Sequence, residues 1–219
     1  MSGAENREGT ALNRLIDSLK YTFSIYSHPF EGFWFMKSQK RATYKTGLVL
    51  LLLLIITTAV RIYTTGYIFS SVSLESFSVW LLAAVIIGLI VLYCTANWAL
   101  TTLLDGKGTY GEIFTSVMYS LTPVILVNLP MAALSNVITN EEASFYTFIN
   151  TAAIIWSVAL MLIGNMQIQD FTMTKSIMTF IATLLIMVII AVIGILFINL
   201  CQQVYVWVLS VVREVSYRL

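Results

Sequence analysis

Charged side chains are scarce in this sequence. Only 11% of its 219 residues are charged, whereas soluble domains carry roughly 25%. The net charge is +1 and the basic residues form no stripe suited to phosphates, so we expect no nucleic-acid partner. The chain is instead 58% hydrophobic, with a mean hydropathy of +0.86. This composition predicts an integral membrane protein in direct contact with the lipid bilayer.

Reactive side chains are also scarce. The single histidine, His28, has no second ligand or nucleophile near it in the sequence. Cys94 and Cys201 lie in apolar runs without metal-ligand spacing. The carboxylates fall outside the apolar segments, and the motifs of metalloproteases and serine hydrolases are missing. We therefore predict no catalytic residue, no metal site, no cofactor and no enzyme activity.

Five apolar segments are long enough to cross hydrocarbon as helices, at about 43–69, 79–104, 113–138, 145–166 and 176–212. A crossing needs about 20 residues. The fifth segment would be about 55 Å long as a helix, so we expect it to project beyond the bilayer near Asn199–Gln203, with a tail at 213–219. The prediction is an all-α polytopic membrane protein with five transmembrane helices in one domain, residues 43–212.

Residues 1–42 form a separate N-terminal segment. Residues 11–26 place apolar side chains on one helical face and charged ones on the other, which predicts an amphipathic interfacial helix. Pro29 can begin a second short helix that carries aromatic residues. The segment is either a membrane anchor or a docking platform for a partner. We predict a protein of the cell membrane with its N-terminus in the cytoplasm and its C-terminus outside. Nine of the twelve Lys and Arg residues then lie on the cytoplasmic side of the membrane, as the positive-inside rule favours.

The third span contains two of the three prolines, Pro123 and Pro130, with Asn128 between them. Each proline removes a backbone donor, and in hydrocarbon only other protein groups can cover the freed carbonyl. Because seven residues are close to two helical turns, we expect both breaks to face the same side and to pack against spans 2 and 4. The amide of Asn128 would then donate to a freed carbonyl.

Other polar residues of the spans belong to the same prediction. Interhelical hydrogen bonds are weak in membranes but fix which helix faces meet. We predict a helix-packing or partner interface made of Tyr119, Thr122, Pro123, Asn128, Pro130, Asn97 and Asn165. The alternative, a polar ligand pocket among the same residues, stays open.

The chain resembles the Yip1 family of small polytopic proteins. The resemblance rests on HPFEGFWFMKSQKRAT before span 1, LLDGKGTYGEIF between spans 2 and 3, and YSLTP inside span 3. The eukaryotic members it resembles are linked with Rab GTPases and vesicle traffic, but their long polar N-terminal domain has no counterpart here, so we expect no GTPase partner. Short, bacterial-type members are associated with carbohydrate uptake, which implies permease subunits as one class of partner.

Three functions are compatible with these features. We favour a non-catalytic accessory or scaffold subunit of a membrane complex, since polar packing groups are plentiful. The alternative is a small transporter or channel, which a broken third span permits. An intramembrane enzyme is the least supported, because no nucleophile and base are paired in the sequence.

Overall fold

The computed structural model describes residues 29–38, 44–64, 78–135 and 143–218. Within these ranges the chain is helical and contains no strand. Seven helices follow in order: α1 Pro29–Ser38, α2 Tyr44–Thr64, α3 Val79–Leu103, α4 Tyr110–Ser120, α5 Thr122–Leu134, α6 Ala143–Gln169 and α7 Met173–Arg218. The short helix predicted to begin at Pro29 is therefore α1. The amphipathic helix predicted over 11–26 lies outside the described residues.

The five predicted spans are confirmed as five helical segments that are long and apolar enough to cross a membrane. Span 1 is α2, span 2 is α3, span 3 is α4 together with α5, span 4 is α6 and span 5 is α7. The chain is a multi-pass helical membrane protein. Which terminus faces the cytoplasm stays a prediction.

Span 3 is broken beside Pro123. The break lies at Leu121, where α4 ends and α5 begins, and Pro123 occupies the first turn of α5. A proline in a first turn deletes a donor that the helix does not use there. The carbonyl of Tyr119, predicted to be unpaired, accepts a hydrogen bond from Thr122 Oγ1 at 2.8 Å. A hydroxyl from the next turn thus replaces the missing backbone donor.

The two prolines differ in burial, contrary to the prediction that both are packed against neighbouring spans. Pro123 is buried, whereas Pro130, seven residues further along α5, is exposed. The break at Leu121 precedes both prolines, and seven residues are close to two turns, so the difference comes from position along the helix: Pro123 lies beside the buried α4, and Pro130 lies near the end of α5. The packing neighbours agree with the prediction for span 4 (α6), whereas span 1 (α2) takes the place of span 2 (α3) against α5. α5 packs against α2 and α6, and it is α4 that contacts α3.

Local signals set the ends of the helices around the break. Thr109 and Glu112 form a capping box, with Glu112 Oε2 accepting from the Thr109 backbone N–H at 2.8 Å. This box starts α4 at Tyr110, three residues before the predicted start. α3 and α6 both end beside an aspartate with positive φ, Asp105 at 59° and Asp170 at 55°. Aspartate tolerates this left-handed conformation better than most side chains.

α4 lies at the centre of the bundle. Every residue from Ile113 to Ser120 is buried, and α4 contacts α2, α3 and α6. α1 packs against α6, with Phe33 fully buried, and α7 lies at the edge against α3 and α6. The end of the bundle that holds α1 is called the α1 end below.

α7 is unlike the other spans because it has 46 residues without interruption. Such a helix is about 69 Å long, more than twice the hydrocarbon thickness of about 30 Å. It continues through residues 213–218, so the predicted tail is part of the helix. The first 23 residues, to Ile195, suffice for one crossing. The rest, residues 196–218, is called the α7 extension.

Candidate functional site

An arginine and two amides join three helices at the end of the bundle opposite α1. Arg61 of α2 donates from Nη1 to Asn128 Oδ1 of α5 at 3.0 Å and to Asn150 Oδ1 of α6 at 2.9 Å. Asn128 Nδ2 also lies 3.3 Å from Thr58 Oγ1. We call Thr58, Arg61, Asn128 and Asn150 the arginine–amide cluster. It ties the second half of span 3 to spans 1 and 4.

This cluster corrects the prediction for Asn128. The side chain is buried, at 1% exposure, but it pairs with side chains of α2 rather than with a carbonyl freed by proline. Arg61 and Asn150 were not among the predicted site residues. One feature of the sequence points to Arg61: it is a cation three residues before the end of an apolar helix. Ionisable groups near hydrocarbon are usually paired within the protein, so a partner for Arg61 could have been expected.

Replacing Asn128 with leucine should destabilise the protein by about 1–2 kcal/mol, because it removes two interhelical hydrogen bonds and leaves their partners partly buried. The loss should appear as a lower midpoint in thermal or denaturant unfolding in lipid nanodiscs. Leu129→Ala changes the adjacent exposed position without adding a polar group and serves as control. An Asn128→Leu protein as stable as the parent would show that the cluster contributes no net stability.

The two other predicted amides connect α7 to the bundle. Asn97 Nδ2 of α3 is 3.3 Å from Thr183 Oγ1, and Asn165 Nδ2 of α6 is 3.3 Å from Ser176 Oγ. Both amides were predicted to share one interface with the polar and proline residues of span 3. Instead their donors reach α7, because its hydroxyl-bearing residues lie on the face turned toward α3 and α6.

Asn97 and Asn165 also line a small internal cavity against α4. Its volume is about 10 Å³, close to the space that one water molecule needs. Asn97 Oδ1 is buried without a hydrogen-bond partner in the described part of the chain. Ser116 of α4 forms part of the same wall. The cavity suits one water molecule and is far smaller than a solute pocket, which typically measures several hundred Å³.

A glutamine organises the α1 end. Gln169, at the last turn of α6, is 1% exposed. Its Oε1 accepts from the Gly108 backbone N–H at 2.9 Å, and its Nε2 donates to Thr101 Oγ1 at 3.2 Å. A Cβ at Gly108 would lie 2.8 Å from Gln169 Nε2, and one at Gly106 would collide with Gln169 Oε1. The DGKGT loop, residues 105–109, therefore requires glycine at positions 106 and 108, because a side chain at either would block the contact between Gln169 and the loop backbone. We call Thr101, Gly106, Gly108 and Gln169 the glutamine clamp.

Two lysines meet one aspartate beside this clamp. Lys37 Nζ of α1 lies 2.7 Å from Asp170 Oδ1, and Lys107 Nζ lies 3.2 Å from Asp170 Oδ2. The hydrogen bond from Lys37, aided by Lys107, holds the pKa of the Asp170 carboxyl below its ordinary value. The carboxylate is about half exposed, so the pairs contribute only about 0.5–1 kcal/mol. They fix α1 and the DGKGT loop to the end of α6.

Acidification should loosen α1. Because the folded-state pKa of Asp170 is lowered, its contribution is full above the unfolded pKa of about 4 and is lost as the pH falls through the folded value. Hydrogen exchange of the α1 amides, corrected for intrinsic rates, should therefore rise below about pH 4. Asp170→Asn tolerates the same backbone conformation and should show the faster exchange at neutral pH, without that transition. Identical pH profiles for the two proteins would exclude this role.

The α7 extension is a helical surface that no other described element covers. Every residue from Val188 to Ser210 is exposed. Tyr205, Trp207 and Val208 are among the exposed apolar side chains. An open groove of about 950 Å³ runs along one side, lined by residues from Leu196 to Ser210. Most side chains between Leu196 and Ser210 are apolar and lie on several sides of the helix, and such a surface is normally buried in protein or in lipid.

The predicted interface residues therefore divide into separate groups. Tyr119, Thr122 and Pro123 lie together, buried at the break in span 3. Asn128 joins the arginine–amide cluster, Asn97 and Asn165 face α7 and the small cavity, and Pro130 is exposed.

Comparison with known proteins gives one match. The model of the Yip1 domain family matches residues 23–196, which is most of the chain. No curated protein and no solved structure matches. The match ends where the α7 extension begins.

Proposed function

This chain is a member of the Yip1 family, and from that premise we propose that it is a non-catalytic accessory or scaffold subunit of a membrane protein complex. The α7 extension carries this proposal. It presents a continuous exposed surface that includes Leu196, Phe197, Tyr205, Trp207 and Leu209. Large contiguous apolar surfaces mark sites of interaction with protein or membrane.

Protein is the better-fitting cover for this surface. The first 23 residues of α7 already match the hydrocarbon thickness of about 30 Å, so an upright α7 carries its extension beyond the bilayer. A largely apolar helix there would expose its side chains to water, which costs a free energy of about 25 cal/mol per Å² of apolar area. A partner chain that packs on the extension removes this cost.

The interior favours a scaffold over a transporter. Side-chain hydrogen bonds in the interior join helices to one another: Arg61 to Asn128 and Asn150, Asn97 to Thr183, and Asn165 to Ser176. The cavity between α3, α4 and α6 measures about 10 Å³. Hydrogen bonds of this kind fix the helix positions and give the extension a rigid base.

The proposal places the protein in the cell membrane with its N-terminus in the cytoplasm. α7 then runs outward, and the extension reaches a partner on the outer side. The family resemblance makes subunits of a carbohydrate permease the first partner class to test. A small transporter or channel remains the alternative function.

The test is recovery of the tagged protein in a mild detergent, with partners identified by mass spectrometry. The unmodified protein should recover a membrane subunit in fixed proportion. Tyr205→Asn with Val208→Asn, on one side of the extension, should lose it. Leu103→Asn changes a side chain that is 82% exposed at the other end of the bundle and should keep it. Recovery without any partner, together with solute flux in proteoliposomes, would replace the scaffold by a transporter.

A further inference from the structure

We propose that two copies of this chain associate through the α7 extension as a parallel pair of helices. The inference deepens the proposed function, on which it rests: the scaffold is a dimer, and one stripe of the extension forms the contact between copies. This stripe, the α7 seam, consists of Leu196, Asn199, Gln203, Val206 and Ser210.

The spacing of the seam is that of a coiled coil. Its members are separated by three, four, three and four residues, so they lie along one stripe of the helix as the a and d positions of a coiled coil do, with Leu196 and Val206 as its apolar members. All five side chains are exposed and line the groove along the extension. The stripe is thus continuous over four helical turns.

The chemistry of the seam selects a second copy. Asn199 and Gln203 carry amides, each with donors and an acceptor. A purely apolar helix packed on the seam would bury these amides without partners, at the cost of their desolvation. The same amide on a second copy supplies the matching donor and acceptor at the same height. Polar residues at such positions fix register and the number of strands in coiled coils.

Membrane insertion selects the parallel arrangement. Two copies of one sequence insert in the same orientation, since the same distribution of basic residues orients both. Their α7 helices therefore point the same way. In a two-fold arrangement each seam residue meets its own counterpart, so Asn199 meets Asn199 and Gln203 meets Gln203.

The bundle leaves room for this contact. Ser176, Thr179 and Thr183 are buried against α3 and α6. Toward the N-terminus of α7 the same stripe continues to Val192 and Ile189, whose side chains are 50% and 56% exposed. Thr183 and Ile189 differ by six residues, which at 100° per residue puts them on different sides of the helix. In the dimer the two α7 helices therefore pack against each other at the centre, and the other helices of each copy lie on the outer sides of this pair.

Disulfide cross-linking tests the contact with a control inside the chain. Cys201 is exposed and lies two residues from Asn199 and from Gln203, about 200° away around the helix. Ser210→Cys combined with Cys201→Ser places a thiol on the seam instead. In native membranes treated with copper phenanthroline as the oxidant, the seam cysteine should form a covalent dimer at least tenfold faster than Cys201 in the unmodified protein. Equal rates at the two positions would overturn the proposal.

A second variant measures association directly. Asn199→Lys with Gln203→Lys brings like charges together across the seam, and should convert the dimer to a monomer in single-molecule photobleaching after dilution into lipid. Val208→Lys, off the seam, should remain dimeric. A monomeric unmodified protein would overturn the proposal.

The seam variant also separates this inference from the proposed function. A monomeric seam variant that still recovers its membrane partner shows that the dimer and the partner use different sides of the extension. A dimer that recovers no partner supports the seam but contradicts the scaffold function.

Discussion

Leucine in place of Gly164 should destabilise the protein by about 3 kcal/mol, at the upper end of the cost of overpacking a core. Gly164 is where α6 approaches both α4 and α1. A Cβ there would collide with Ser116 Oγ and lie 3.1 Å from Phe33 Cε1. Phe33 is fully buried, and the cavity beside Ser116 measures only about 10 Å³, so the two side chains can move aside very little. The larger side chain would push α4 away from α6 and release α1.

Gly88→Leu is the matched control for this substitution. Gly88 is also inside a spanning helix, but nothing lies within 4 Å of its added Cβ. Thermal unfolding in nanodiscs should show a large fall in the midpoint for Gly164→Leu and little change for Gly88→Leu. Proteolysis after Lys37 should also accelerate only in the first variant. Equal midpoints for the two variants would mean that the close packing at Gly164 is not required.

Gln169→Leu should cost about 2–3 kcal/mol. Leucine is similar in size but removes both hydrogen bonds of the glutamine clamp, to the Gly108 N–H and to Thr101 Oγ1. A buried polar group left without a partner costs about 1–3 kcal/mol. The DGKGT loop would lose its attachment to α6, and hydrogen exchange at Gly108 should rise with the fall in stability.

Gln167→Leu is the control for the clamp. It changes the same residue type two positions earlier on α6, where the side chain is only partly buried. This variant should remain within about 0.5 kcal/mol of the parent, as surface substitutions usually do. If both variants lose equal stability, the effect belongs to glutamine content in α6 and not to the clamp.

The number of spans and several of their ends can be read from the order of the amino acids alone. Apolar runs of 20 or more residues have few alternatives to crossing the membrane as helices, because every backbone polar group must be paired within the segment. Pro123 likewise predicted a break, and Pro29 a helix start. These features depend on residues that are neighbours in the chain, so local physics is enough to read them.

The pairing of the polar residues, in contrast, follows from how the helices pack in the folded protein. Arg61 bonds to Asn128 and Asn150, which are 67 and 89 residues away, and Gln169 bonds to Thr101 across 68. In a bilayer both lipid and neighbouring helices are apolar, so hydropathy does not distinguish a protein-facing side from a lipid-facing side. The side that each helix turns inward is set by close packing, as at Gly164, and by which amides find partners. For that reason the sequence predicts the asparagines as packing residues but does not identify the helices that supply their hydrogen-bond partners.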